Sequence, residues 1–176
     1  NWEKKWKLKT SEINLQCFNN YSQKIKDSLL DYYKYYLSLK NYNIGKNYLS
    51  IKVAERLLND CLSYEKKVLE EGNKIIILEK EKEIEYNFEL ENYTFKLVGN
   101  IDRVDFFNQN LRIIDYKTGK KSSKNELLFD NWDDIIDKPK NDKIFQLLMY
   151  AYLYLKNNPK YLNQKIQVGI YFLRDI

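Results

Sequence analysis

The spacing of apolar residues changes once along this chain, and that change limits the folds it can adopt. Residues 11–40 and 46–72 carry apolar side chains at helical spacing without an internal proline, which predicts two long helices. From residue 74 onward apolar and polar residues alternate, as in Ile84 to Leu90, and a period of two predicts strands. A helical segment is therefore expected to precede a sheet.

Turn residues divide the second segment. Glu91-Asn92 closes a predicted hairpin, and Asn108-Gln109-Asn110 separates two further strands at about 98–107 and at Leu111 to Tyr116. A long loop at 119–142, with a short turn at Trp132 to Ile136, leads to a predicted helix over 142–157 and a strand at Gln167 to Leu173. This order predicts an α/β (α+β) fold, with a mixed central sheet flanked by helices.

The length of the chain bounds its organisation. We expect one domain over 1–176, divided into a helical segment at 1–72 and a mixed-sheet core at 73–176. Because the first residue is Asn1 and not Met, we expect a fragment of a longer protein. No apolar run approaches the roughly 18 residues of a membrane span, so we expect a cytoplasmic protein with no membrane partner.

Residue types exclude several chemistries. The chain has no histidine and only two cysteines, Cys17 and Cys61, which excludes zinc held by thiolates or imidazoles and histidine-dependent catalysis within these residues. Any metal must be bound by carboxylates, which favours Mg²⁺ or Mn²⁺. The net charge of +5 is compatible with a polyanionic partner, but the basic residues are interspersed with 25 acids, so a solvated lysine-rich surface remains an alternative.

One acid and one base can share a site on the fourth strand. Asp115 and Lys117 are two residues apart, so in a strand both side chains project from the same face. Pairing across the Asn108 turn can bring Asp102 alongside Asp115. Two adjacent carboxylates repel unless a divalent cation, a shared proton or a basic group compensates. The alternatives are an exposed Asp102-Arg103 ion pair and a solvated strand end at Asp115, where Gly119 is simply a turn residue.

Three segments resemble a known family. The sequences Gly99-Asn-Ile-Asp-Arg-Val-Asp105, Ile113-Ile-Asp-Tyr-Lys-Thr-Gly-Lys120 and Gln146-Leu-Leu-Met-Tyr-Ala151 are similar to motifs of RecB-like PD-(D/E)XK nucleases, in the same order. The resemblance covers roughly 75–173 and extends to the AddAB/RecBCD-type helicase-nucleases and their AddB-like relatives. It implies a restriction-endonuclease-like core that uses Mg²⁺ or Mn²⁺. It also implies Asp102, Asp115 and the backbone carbonyl of Tyr116 as metal ligands, with Lys117 as the catalytic lysine.

The resemblance also implies residues around the acid pair. Gln146 and Tyr150 share a helix face at i and i+4, and can reach one substrate strand, although both positions also suit the rim of a core. Lys120 and Lys121 are candidates for phosphate contact, with a solvated loop as the alternative. The family usually has an upstream His or Glu ligand, which here is Glu55, Glu65 or a residue before Asn1. Two cysteines cannot hold the four-cysteine iron–sulfur cluster of some relatives.

These features lead to one functional hypothesis and two alternatives. The first is a metal-dependent DNA nuclease, an exonuclease rather than an endonuclease, acting with a helicase domain or subunit in DNA repair or recombination. The second is a catalytically inactive nuclease-fold domain that binds DNA or scaffolds a partner subunit. The third is a structural domain whose acid pair is incidental.

Overall fold

The computed structural model describes residues 11–35, 44–121, 127, 131–133, 135, 138 and 141–176. These residues contain five strands: β1 Ser11–Ile13, β2 Ile75–Leu90, β3 Tyr93–Phe107, β4 Asn110–Lys117 and β5 Ile166–Phe172. They also contain three α-helices: α1 Tyr21–Tyr35, α2 Gly45–Glu70 and α3 Asp142–Asn157. Short 3₁₀ helices lie at Leu15–Phe18 and Pro159–Tyr161.

All five strands form one sheet in the order β1-β2-β3-β4-β5. The first four strands pair antiparallel, and β5 pairs parallel to β4. A parallel pair requires a crossover connection, and α3 lies in the connection between β4 and β5. The predicted α/β class, with a mixed sheet and flanking helices as in restriction endonucleases, is confirmed.

The chain forms two compact units. The sheet unit contains Ser11–Ile13 and Lys74–Phe172, and the helical unit contains Asn14–Asn73 and Leu173–Ile176. Within the helical unit, α1 and α2 are joined by the hydroxyls of Tyr21 and Ser63, 2.9 Å apart. A glycine follows the end of α2: Gly72 has φ +87°, and its N–H donates to the Leu69 carbonyl. Among the described helices, none combines the length and apolarity needed to cross a bilayer.

Two predicted boundaries were wrong. Ser11–Ile13 is a strand instead of the start of a helix, because it pairs with Ile75–Ile77 of β2; three residues are too few to reveal that pairing as a periodicity. The strand expected at about 98 is part of one strand beginning at Tyr93, since β2 pairs with it along its whole length. Residues 36–40 of the predicted first helix, and Ile136 of the predicted turn, lie outside the described residues.

The core of the sheet unit lies between the sheet and α3. Ile101, Val104 and Ile113 are fully buried on the sheet, and Leu153 and Tyr154 cover them from the helix. The helix over 142–157 is therefore confirmed, and its apolar face gives the reason it forms. Removing such side chains from water is the main contribution to the stability of this unit.

The alternation of side chains along β3 is interrupted at Asp102. Ile101 belongs to the core on the α3 side of the sheet, whereas Arg103 bonds to Asp105 and to the Tyr116 hydroxyl on the opposite side. Residues two apart in a regular strand share a face, so the pleat must be irregular between them. The paired strand is irregular as well, because Glu81 has φ +46° and no partner in the register. Asp102 thus lies at a β-bulge-like kink in the middle of a long strand.

The β2–β3 hairpin extends past the helix that covers it. Near the end of α3 the Asn157 side chain donates to the Glu85 carbonyl at 3.1 Å, and the cross-strand pairs beyond that point project further along the sheet. Phe88 pairs with Phe95, and Leu90 pairs with Tyr93, which is 68% exposed. The hairpin therefore has a covered base and an exposed end.

Candidate active site

Asp102 of β3 is bonded to β4 at the residue that follows Asp115. The antiparallel register of the two strands ends with Arg103 opposite Ile114, and Asp102 lies just beyond that pair. The Tyr116 backbone N–H donates to Asp102 Oδ2 at 2.6 Å, which ties Asp102 to the residue next to Asp115. Asp115 is buried, and Asp102 is half-buried. The structure thus places Asp102 beside the strand that carries Asp115, and the shared metal site of the two acids stays a prediction.

Lys117 is the cation nearest to Asp115. Its Nζ lies 2.8 Å from Asp115 Oδ2, as expected for residues two apart on one strand face. Partial burial alone would lower the pKa of Lys117, but the close contact with the Asp115 carboxylate and its negative charge outweigh burial and raise the pKa above 10.5. The lysine is therefore an ammonium ion at neutral pH.

Gln146 of α3 connects the helix to this strand. Its amide nitrogen Nε2 is 2.8 Å from the Tyr150 hydroxyl and 3.4 Å from Asp115 Oδ1. Its oxygen Oε1 accepts from Lys117 Nζ at 3.3 Å. Gln146 and Tyr150 are thus part of the acid–lysine cluster, and the side chain of Gln146 contacts both Asp115 and Lys117.

A second charged cluster lies on the opposite side of the sheet. Asp105 is fully buried and accepts hydrogen bonds from Arg103 at 2.6 Å and from Arg112 at 2.8 and 2.9 Å. Arg103 also donates to the Tyr116 hydroxyl at 2.9 Å, and Arg112 donates to the Tyr171 hydroxyl at 3.2 Å. This cluster was not predicted from the sequence, although Arg103 and Asp105 have same-face spacing and Arg112 lies across the turn from Asp105.

The donor atoms suit a hard divalent cation. Carboxylate oxygens are the ligands that Mg²⁺ and Mn²⁺ prefer, and Asp115 Oδ2 is buried with no hydrogen bond from any described group. Its 2.8 Å approach to Lys117 is therefore an ion pair without good hydrogen-bond directionality. Over the described ranges, no three His, Cys, Asp or Glu residues converge as a complete ligand set. The acid pair is thus suited to a metal but supplies only two side-chain ligands.

The remaining predicted residues belong to other segments of the chain. Glu55 and Glu65 belong to the helical unit, where Glu55 forms an ion pair with Lys52 at 2.8 Å and Glu65 is buried. Lys120 and Lys121 are exposed on the segment that follows β4. The choice between Glu55, Glu65 and a residue before Asn1 as the upstream ligand stays open, and the phosphate contacts of the two lysines stay a prediction.

A mixed α/β sheet that presents an Asp-x-Lys strand, with an aspartate of the neighbouring strand bonded to it, is the arrangement of a restriction-endonuclease-like nuclease domain. The family model of the PD-(D/E)XK nuclease superfamily matches residues 23–175, which is most of the chain. The chain therefore belongs to the PD-(D/E)XK nuclease superfamily. No curated protein gives a significant match.

Proposed function

We propose that this domain is a metal-dependent deoxyribonuclease, an exonuclease that serves as the nuclease module of a helicase-nuclease in DNA repair or recombination. Superfamily membership indicates a nuclease acting on DNA. The observation that carries the proposal is the mutual contact of Asp115, Lys117 and Gln146, with Asp102 bonded to the adjacent Tyr116 N–H. The exonuclease and helicase-linked parts of the proposal rest on the similarity of the three motifs to RecB-like nucleases.

Members of this superfamily generally use divalent metal ions. Asp102, Asp115 and the Tyr116 carbonyl would hold Mg²⁺ or Mn²⁺ here. When bound, such an ion polarises the scissile phosphate and lowers the pKa of a coordinated water. The fit of the residues rests on their oxygen donors and on the buried Asp115 oxygen described above.

The protein's own groups have distinct tasks in hydrolysis. The water oxygen bonds to phosphorus, one P–O ester bond breaks, and the leaving oxygen takes up a proton. Lys117 can hold the attacking water or a non-bridging phosphate oxygen by donating hydrogen bonds from its ammonium group. Gln146 accepts from the ammonium at 3.3 Å and so restricts where it points. Lys120 and Lys121 would contact neighbouring phosphates of the DNA.

The test measures release of nucleotides from end-labelled linear DNA, with Mg²⁺ or Mn²⁺, by the wild-type protein and by Asp115→Ala and Lys117→Ala. We expect each substitution to lower the rate by at least about 100-fold. Asp60→Ala and Lys66→Ala are matched controls, since both residues form ion pairs on the exposed surface of α2. A closed circular substrate distinguishes an exonuclease from an endonuclease, because an exonuclease needs a free end and leaves the circle intact.

The results separate the proposal from its alternative. If wild-type protein cuts no faster than Asp115→Ala, enzymatic function is excluded under those conditions. The second candidate is an inactive nuclease-fold domain that binds DNA or scaffolds a partner subunit. It is supported by the absence, among the residues that the structure describes, of a third acidic side chain in the cluster. It predicts DNA binding, measured by fluorescence anisotropy, that Asp115→Ala leaves unchanged. A cytoplasmic location stays a prediction.

A further inference from the structure

Gly99 of β3 lies directly beneath the aromatic ring of Tyr150. A β-carbon added at Gly99 would lie 3.0 Å from Tyr150 Cε1 and 3.3 Å from Cδ1, with Ile84 Cγ1 at 3.6 Å. Ordinary carbon–carbon contacts are about 3.5 to 4.0 Å, so any larger residue at position 99 would push the ring away. The glycine is not required by its backbone, because the glycines with positive φ among the described residues are Gly45 and Gly72.

The ring held by Gly99 is one end of a short chain of contacts to the acid–lysine pair. The Tyr150 hydroxyl is 2.8 Å from Gln146 Nε2, which fixes the glutamine amide. That amide reaches Asp115 at 3.4 Å and Lys117 at 3.3 Å. Both of these contacts are already longer than the roughly 3.2 Å upper end of the usual range. A displacement of a few tenths of an ångström can therefore break them.

We propose that Gly99 is a positioning residue for the nuclease reaction: its missing side chain lets the Tyr150 ring pack on β3, so that Gln146 is held against Asp115 and Lys117. The expected effect on DNA cleavage rests on the proposed function. The expected effect of Gly99 on the position of the Gln146 amide does not, because it is a property of the folded protein alone.

Gly169 of β5 provides a matched control. It is also a glycine within a strand of the same sheet, paired with Ile114, but an added β-carbon meets nothing within 4 Å. In both positions alanine reduces the backbone freedom of the unfolded chain, which favours folding where no contact opposes it. An effect that Gly99→Ala causes and Gly169→Ala does not is therefore due to the contact with Tyr150, and not to the replacement of a glycine within a strand.

The first measurement follows the Gln146 side-chain amide by NMR in protein labelled with ¹⁵N-glutamine, with Gln146→Ala used to assign the signal. We expect Gly99→Ala to shift the Gln146 resonances and Gly169→Ala to leave them in place. Unmoved Gln146 resonances in Gly99→Ala would overturn the inference. This result is independent of nuclease activity, so it stands even if the wild-type protein cuts no DNA.

The second measurement is steady-state cleavage of linear DNA. We expect Gly99→Ala to lower kcat roughly tenfold with KM within about twofold, because displacing a positioned group acts on the reaction step more than on DNA binding. The melting temperature should change little, which separates this effect from general loss of folding. A Gly99→Ala protein with wild-type kcat would overturn the inference, whereas a wild-type protein no faster than Asp115→Ala would overturn only the proposed function.

A double-mutant cycle with Tyr150→Phe tests the route of the effect. Phenylalanine keeps the ring but loses the hydroxyl that bonds to Gln146, so Gly99→Ala should cause little further loss of kcat in that background. If the two substitutions lower kcat by independent factors that multiply, Gly99 does not act through the Tyr150–Gln146 contact and the proposal fails.

Discussion

Substitution of Asp105 by asparagine removes one negative charge from the buried cluster without changing its size. In the wild-type protein Asp105 is fully buried and lies within 2.6 to 2.9 Å of the guanidinium nitrogens of Arg103 and Arg112. The Arg103 side chain is 5% exposed, and that of Arg112 is 13% exposed. Both arginines keep their charge in the variant, because a guanidinium does not lose its proton in proteins.

The size of the effect follows from what remains around the arginines. Removing one partner of a buried ion pair generally costs about 3 to 5 kcal/mol, because the remaining charge has lost its compensation. Here the asparagine oxygen and the hydroxyls of Tyr116 and Tyr171 still accept hydrogen bonds. We therefore expect the lower end, a loss of about 3 kcal/mol in the free energy of unfolding.

Urea denaturation followed by circular dichroism measures this loss. With a urea m-value of about 2 kcal/mol/M, the midpoint should fall by roughly 1.5 M. Glu85→Gln is the control, because it removes an acid from an exposed ion pair with Lys96 and should change the midpoint little. A fall of less than about 0.5 M for Asp105→Asn would refute the view that this carboxylate compensates the buried arginines.

Three further substitutions test separate parts of the sheet unit. Ile101→Ala should lower the free energy of unfolding by about 3 kcal/mol in urea denaturation, since it empties a fully buried position, and Val98→Ala on the exposed side should cost far less. Burial, with a contribution from Arg103, lowers the pKa of Lys80 below 10.5. The protonated form of Lys80 therefore destabilises the folded state at any pH below that lowered pKa. Lys80→Met should raise the free energy of unfolding by less than about 1 kcal/mol at pH 7, and this increase should shrink as the pH rises toward 10.5. An equal increase at pH 10.5 would show that the charge of Lys80 is not the cause. Tyr116→Phe removes the hydroxyl that accepts from Arg103 but keeps the backbone carbonyl, so cleavage of DNA should fall less than tenfold; a loss as large as that of Lys117→Ala would show that the hydroxyl is essential.

The sequence predicted most of the fold where one physical signal was strong. The α3 helix and strands β4 and β5 follow from apolar residues that are buried on one or both faces, and their predicted limits lie within one residue of the observed ones. Ser11–Ile13 could not be found in this way, because its strand conformation depends on pairing with residues more than 60 positions away. Tertiary contacts override local preference in such short segments.

The candidate site was predictable in part. The same-face spacing of Asp115 and Lys117 follows from strand geometry, and their charged groups lie 2.8 Å apart. Strand geometry also predicts Asp102 beside the fourth strand, and Asp102 accepts a hydrogen bond from the Tyr116 N–H of that strand. The kink at Asp102 was not predictable, because it depends on the unusual backbone of Glu81 in the neighbouring strand. The contact between Gly99 and Tyr150 was also hidden, since it joins a strand to a helix about 50 residues later.

The long β2–β3 hairpin separates a part of the chain that can change length from a part that cannot. Its exposed end, from Asn87 to Lys96, consists of cross-strand pairs, so deleting one pair removes a residue from each strand and preserves the register. Deleting two successive pairs also preserves which face each side chain occupies. The kink at Asp102 determines which side chains of β3 face α3. One residue added to or removed from β3 alone at this position would reverse the faces of every later residue in the strand. We therefore expect natural variation in length to concentrate at the hairpin end, which also makes it the suitable place for an inserted tag or reporter peptide.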